Sequence, residues 1–168
     1  KVTIGDGEAL TWSSQHEETI GLQPSAIALN AINAKSNKKV GVWEGQVKVT
    51  NVARKSVNSS FATPFYKKAE VKDMYNQLSL TLKGGFVLEF RAYDEGAAYR
   101  IVSRQSKPYL VMNETVEFNF AGDYKAFVPY VNDNRSGERY CYSFESYYDE
   151  APLSAMFADS LAITPLLV

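Results

Sequence analysis

The chain has 168 residues, 45% of them hydrophobic, 22% charged and 13% aromatic, and a formal net charge of −1. Such a length supports one domain with a real core, and such hydrophobicity excludes a disordered chain. The near-neutral charge without a basic stripe argues against a nucleic-acid partner; no apolar run approaches the roughly 18 residues of a membrane-spanning helix; and the single cysteine, Cys141, excludes an internal disulfide or a multi-cysteine zinc site.

In chain order, Lys1–Trp12 holds the turn signal Gly5-Asp6-Gly7 between two short extended pieces. Ser13–Thr19 is expected as a polar loop and carries His16, the chain's one histidine. Without a second histidine, a His-paired metal site cannot be assembled inside the chain. Pro24–Ala34 is open to two readings. Its alanines, with Ser25 as N-cap, favour a helix; the alternation of Ile27, Leu29 and Ala31 permits a strand. Val40–Val52 alternates at Val42, Val47 and Val49 and predicts strands broken at Gly45. Arg54–Ser60 is expected as a loop, and the clusters Lys35–Lys39 and Arg54-Lys55 as solvated turns. Phe61–Lys68 is aromatic and carries Pro64, and Ala69–Lys83 reads as one long strand.

Gly84-Gly85 turns the chain into its most strongly patterned stretch, Phe86–Val102. Leu88, Phe90 and Ala92 point one way and Val87, Glu89, Arg91 and Tyr93 the other; Asp94-Glu95-Gly96 then supplies a turn before a second run of β-formers. This predicts a β-hairpin of two central strands. Arg91 and Arg100 flank the turn and Asp94 lies in it, so either an ion pair locks the hairpin or the hairpin faces a ligand or partner domain.

Beyond the linker Ser103–Pro108, Tyr109–Phe120 is another extended run, Gly122-Asp123 a turn and Lys125–Val131 a short extended piece. Asn132–Glu138 reads as an exposed loop, Arg139–Tyr148 as a strand, Ala151–Ala158 as a turn of helix and Leu161–Val168 as a final apolar strand. Ending on such a strand, the sequence reads as part of a longer protein, cut within a sandwich; its start at Lys1 leaves a cytoplasmic and a mature secreted protein both open. Short strands, regular turn signals and almost no helical periodicity predict an all-β single domain over residues 1–168.

Motifs for chemistry are sparse. There is no glycine-rich phosphate loop and no GxSxG nucleophile elbow. Eleven tyrosines fit a carbohydrate-handling surface and an ordinary β-sandwich almost equally. Glu114, Glu117, Glu138, Glu145, Asp149 and Glu150 are the carboxylates to weigh, since paired carboxylates perform glycosidic acid–base chemistry, but most surface carboxylates are solvated charges. Glu145 stands out because Phe144, Tyr147 and Tyr148 surround it: such a carboxylate is either paired, with Arg139 the nearest arginine, or poised for a cation.

Six pieces carry a family resemblance in order: Gln23–Asn30 (QPSAIALN), Met74–Leu82 (MYNQLSLTL), Phe90–Arg100 (FRAYDEGAAYR), Glu114–Phe118 (ETVEF), Phe144–Tyr148 (FESYY) and Thr164–Val168 (TPLLV). In sequence and spacing they resemble the N-terminal domain of glycoside hydrolase family 97. The resemblance implies a galactose-mutarotase-like β-supersandwich, truncated at its C-terminus, and makes Pro24–Asn30 a strand. It implies a (β/α)8 barrel beyond this chain as the domain's partner, carrying the acid and base carboxylates, so that no catalytic residue is expected here. It also implies a calcium ion held with the help of a glutamate in a Glu-x-x-Tyr setting, which Glu145-Ser146-Tyr147-Tyr148 matches. With one such carboxylate, this chain alone is expected to bind calcium weakly or not at all. Arg91, Asp94, Arg100 and Tyr148 are kept as structural or interface residues.

Two functions follow. One is the non-catalytic N-terminal domain of a calcium-dependent α-glucosidase or α-galactosidase acting on α-linked oligosaccharides in a bacterial periplasm or outside the cell. The other is a free-standing carbohydrate-binding or surface-interaction β-domain. In either case open sheet edges are expected to let two copies pair.

Overall fold

The computed structural model describes residues 10–42, 47–131 and 144–168. Among these the backbone is largely extended, with one 3-10 turn at Leu153–Ala155 and no α-helix. The chain divides into two compact units, Lys1–Asn119 and Phe120–Val168, at a point where the sequence carries no boundary signal.

The first unit contains β1 (Thr11–His16), β2 (Thr19–Asn33), β3 (Lys39–Val42), β4 (Val49–Ala62), β5 (Glu70–Leu82), β6 (Phe86–Ala92), β7 (Ala97–Ser103) and β8 (Tyr109–Val116). Every pairing is antiparallel. In one sheet the first half of β2 pairs with β1, and its second half with β3 and β8; the other sheet runs β4-β5-β6-β7.

β2 settles the ambiguity over Pro24–Ala34. Leu22, Ser25, Ile27, Leu29 and Ala31 are buried, which is strand alternation from Ser25 onward. Ser25 is not a helix cap. Fully buried, its Oγ donates to the Gln23 carbonyl at 2.8 Å and accepts from the Asn119 N–H at 2.9 Å, tying the chain beyond β8 to β2.

The two sheets meet through an aromatic core. Trp12 of β1 packs on Phe90 of β6 and edge-on to Tyr99 of β7, at centroid distances of 6.1 and 5.4 Å, and Phe86 meets Tyr109 edge-on at 5.6 Å. Leu80, Leu82, Leu88 and Ile27 fill the space between. Each such side chain, taken from water, stabilises the fold by about 1.5–3 kcal/mol. β3 crosses so near this core that a Cβ on Gly41 would run into the buried Phe86 ring.

Several sequence expectations change here. Arg54–Ser60 is not a loop but the middle of β4, paired residue for residue with β5. Ser13–His16 is likewise strand, closed by a turn in which Glu17 adopts φ 52°. The 84–85 turn stands as expected, with both glycines at positive φ, 103° and 79°.

The second unit is small. β9 (Lys125–Val128) pairs with β10 (Asp149–Pro152), and Ala126, Val128 and Tyr130 form a core against Leu153, Met156 and Ala162. Leu161–Val168 is not a strand: among the described residues it makes only the isolated bridges Tyr130↔Ala162 and Phe127↔Leu167. The helix expected over 151–158 is confined to the 3-10 turn. Of the strand expected over 139–148, residues 144–148 are irregular; the rest, with Arg139, Cys141 and the loop Asn132–Glu138, lies outside the described residues.

Candidate functional site

The β6–β7 hairpin forms as the sequence predicts, but its charges pair differently. Arg100 Nε donates to Glu89 Oε2 at 2.7 Å; the carboxylate holding it is a cross-strand neighbour, not Asp94. Arg91 Nε donates to Gln77 Oε1 at 3.1 Å and a terminal nitrogen to the Tyr93 hydroxyl at 3.4 Å, while the guanidinium lies 4.1 Å from the centre of the Tyr75 ring. That stacking is a cation–π contact. The Tyr93 hydrogen bond, opposed by burial, holds Arg91 above its usual basicity. Arg91 and Arg100 therefore share the outer face of this sheet with different partners, and Asp94 sits exposed in the turn.

Asp94 belongs instead to a recess. The β1–β2 hairpin, the middle of β4 and β5 and the adjoining ends of β6 and β7 border a cleft of about 990 Å³, lined among others by Trp12, His16, Arg54, Asn76, Asp94 and Glu95. Trp12 forms its apolar wall, and the indole N–H, itself buried, has no hydrogen-bond partner among the described residues. Tyr99, against Trp12, has its hydroxyl pushed up, first by burial and then by the charge of Glu114.

The other candidate carboxylates separate into structural roles. Glu117 Oε2 accepts from the Ala26 N–H at 3.0 Å and so fixes β2. Glu150 pairs with Lys125 at 2.6 Å across β9–β10. Asp149 begins β10 and is exposed, as is Glu114 on β8; Glu138 lies outside the described residues.

Glu145 stands in the irregular stretch 144–148, four residues before β10, with its side chain exposed. Phe144 and Tyr148 pack edge-on at 5.6 Å on either side of it in sequence, and Tyr147 points almost entirely into solvent. A glutamate there suits calcium by donor chemistry, an anionic oxygen on the surface. Calcium takes about six to eight oxygens, whereas the described residues contain no group of three or more Asp, Glu, His or Cys able to hold a metal. The described donor set fits a contributed ligand rather than a complete site.

Sequence reasoning missed Glu89, Gln77 and Tyr75 as the partners that decide what Arg91 and Arg100 do. A signal for one was present. A turn centred between Asp94 and Glu95 places residue 89 opposite residue 100, the register observed. Gln77 and Tyr75 come from a strand whose register is set by a different turn.

Two open antiparallel sheets closed over an aromatic core define an all-β sandwich-type domain. Residues 1–168 match the family described as glycosyl-hydrolase 97 N-terminal, and the chain belongs to that family. It is 34% identical, over 171 aligned residues, to a retaining alpha-galactosidase of Bacteroides thetaiotaomicron, the alignment covering all of this chain and 25% of that protein. Solved structures share the fold. A beta-arabinopyranosidase superposes with a TM-score of 0.71 at 18% identity, over 89% of this chain and 24% of that one. A glycoside hydrolase family 97 enzyme from Pseudoalteromonas sp. strain K8, in complex with acarbose, superposes with 0.68 at 20% identity, over 90% of this chain and 22% of its own. The chain thus spans about a quarter of the length of the relatives it matches. Among the described residues no helix is long and apolar enough to cross a membrane.

Proposed function

We propose that this chain is the non-catalytic N-terminal domain of a larger calcium-dependent α-glycosidase, exported to a bacterial periplasm or beyond. It packs on a catalytic (β/α)8 barrel that carries the acid and base carboxylates, and it lends that barrel one calcium ligand, Glu145. The observation that carries this reading is the whole-chain match to a relative four times its length, a retaining alpha-galactosidase. That relative, at 34% identity, favours an α-galactoside over an α-glucoside as substrate.

Within this division of labour the chain's residues have simple tasks. Glu145 presents an anionic oxygen at the surface, and the Phe144–Tyr148 ring contact limits how its segment can bend. A calcium ion bound there would supply Lewis-acid stabilisation of charge developing at the scissile bond. The test is Glu145→Gln in the complete enzyme, which keeps the size of the side chain and removes its charge. Calorimetric titration is expected to show weaker calcium binding, with lower hydrolysis of an aryl α-galactoside, while the melting temperature of the 168-residue chain stays within about a degree, as for an exposed substitution. Unchanged calcium affinity, together with a lower melting temperature, would make Glu145 a structural residue.

A further inference from the structure

The β4–β5 hairpin reaches past the sheet to which it belongs. Its strands pair from Val49↔Leu82 to Ala62↔Glu70, but β6 accompanies β5 only as far as Asn76↔Ala92. From Val57↔Tyr75 outward no third strand covers it among the described residues, and at about 3.4 Å per residue the ribbon extends roughly 20 Å. An isolated two-stranded ribbon has little stability of its own. This one is nevertheless well braced. Ser56 Oγ donates to Asn76 Oδ1 at 2.6 Å, the Thr63 N–H donates to the Ala69 carbonyl at 2.9 Å, and Thr63 Oγ1 donates to the Lys68 carbonyl.

What the brace holds out is apolar. Phe65 at the tip is fully exposed, at 101% of its reference area, and Tyr66 and Phe61 beside it are more than half exposed. Exposed aromatics close together in the sequence and flanked by charged residues mark an interaction surface, and a pre-ordered tip loses little further entropy on burial. Lys67, Lys68 and Lys72 follow the rings, against Glu70 and Asp73. The complement is an apolar pocket for two rings, edged by carboxylates.

We infer that the tip formed by Phe65 and Tyr66 docks on the remaining part of the same larger polypeptide, in a pocket of that description. The inference rests on the reading of this chain as the N-terminal part of a larger enzyme, whose matched relative has about three quarters of its length outside the aligned region. A partner on the same chain acts at high effective concentration, so a few aromatic contacts suffice.

Trypsin cleavage after Lys67 and Lys68 reads the state of the tip directly. In the 168-residue chain the tip should be cut quickly; in the complete enzyme, at least about tenfold more slowly, the protection expected of a covered segment. Phe65→Ser with Tyr66→Ser should leave the melting temperature of the 168-residue chain unchanged and abolish the protection in the complete enzyme. Equal cleavage rates in the short chain and the complete enzyme overturn the docking. So does protection of the short chain by an α-linked galacto-oligosaccharide, or by raising its own concentration, since the occupant would then be sugar or a second copy. A complete enzyme that cleaves α-galactosides with an unprotected tip sinks the docking alone; one without glycosidase activity sinks the proposed function, whatever the tip does.

Discussion

Arg100 Nε and Glu89 Oε2 lie 2.7 Å apart on facing positions of β6 and β7, yet the two side chains occupy different surroundings: Arg100 is 63% exposed and Glu89 only 14%. The arginine reaches back over its own sheet to a carboxylate that water reaches poorly. Solvent screens such a pair from the arginine side, so Arg100→Ala should lower stability by less than about 1 kcal/mol, and by less still in about 1 M salt. Arg91→Ala should be the more damaging, by about 1–3 kcal/mol, because it uncovers the buried Tyr75 ring and strips the Gln77 amide oxygen of its donor. Urea denaturation of both variants at low and high salt ranks them; a larger loss for Arg100→Ala would reverse the assignment of which arginine braces the sheet.

Asp123 couples the second unit to pH. Its Oδ2 accepts from Ser154 Oγ at 2.7 Å and its Oδ1 from the Ser154 N–H at 2.8 Å, so the carboxylate fastens the 3-10 turn at Leu153–Ala155. The Ser154 hydroxyl first, and its amide second, hold the Asp123 carboxyl below its usual value. A carboxyl depressed in the folded state adds stability above its unfolded value, near pH 4, and that contribution fades as pH falls through the folded value. Asp123→Asn should therefore melt lower than the native chain from about pH 5 to 7, and the gap should close toward about pH 2. A gap that is flat across this range would mean that the charge contributes nothing and only the hydrogen-bond geometry does.

The parts of the fold that were legible in the sequence are those where pattern and pairing agree. β6 and β7 have inward apolar residues, outward charges and a turn between them, and they form as read. β2 shows the alternation that competed with its alanines, and burial between β1, β3 and β8 decides for the strand. β4 escaped because its middle, Arg54 to Ser60, is polar on both faces: pairing with β5, rather than apolar burial, holds it extended. Leu161–Val168 misled in the opposite way, since it is apolar enough for a strand but finds only two bridging partners among the described residues. At the candidate site, Glu145 stands out in the sequence by its aromatic neighbours, but calcium takes about six to eight oxygens, and such a set cannot be read from one segment.

β4 also bears on whether copies of the chain associate. Among the described residues it pairs on one side only, with β5, and its other edge of backbone N–H and C=O groups is a template for a further strand. Arg54 and Lys55 stand near the middle of this 14-residue edge. Two copies pairing antiparallel about that point would bring the four cations together, and like charges on facing positions of a ladder are destabilising by roughly 0.2–1 kcal/mol a pair. The native chain should therefore associate only weakly, at high concentration and more readily in salt, which screens the repulsion. Arg54→Thr with Lys55→Thr removes the repulsion and adds a β-branched residue at each position, so the variant should associate at markedly lower concentration. Sedimentation velocity over a concentration series, with and without added salt, checks both statements. Native and variant chains that stay monomeric throughout would show that the β4 edge is closed to a second copy by something other than its charges.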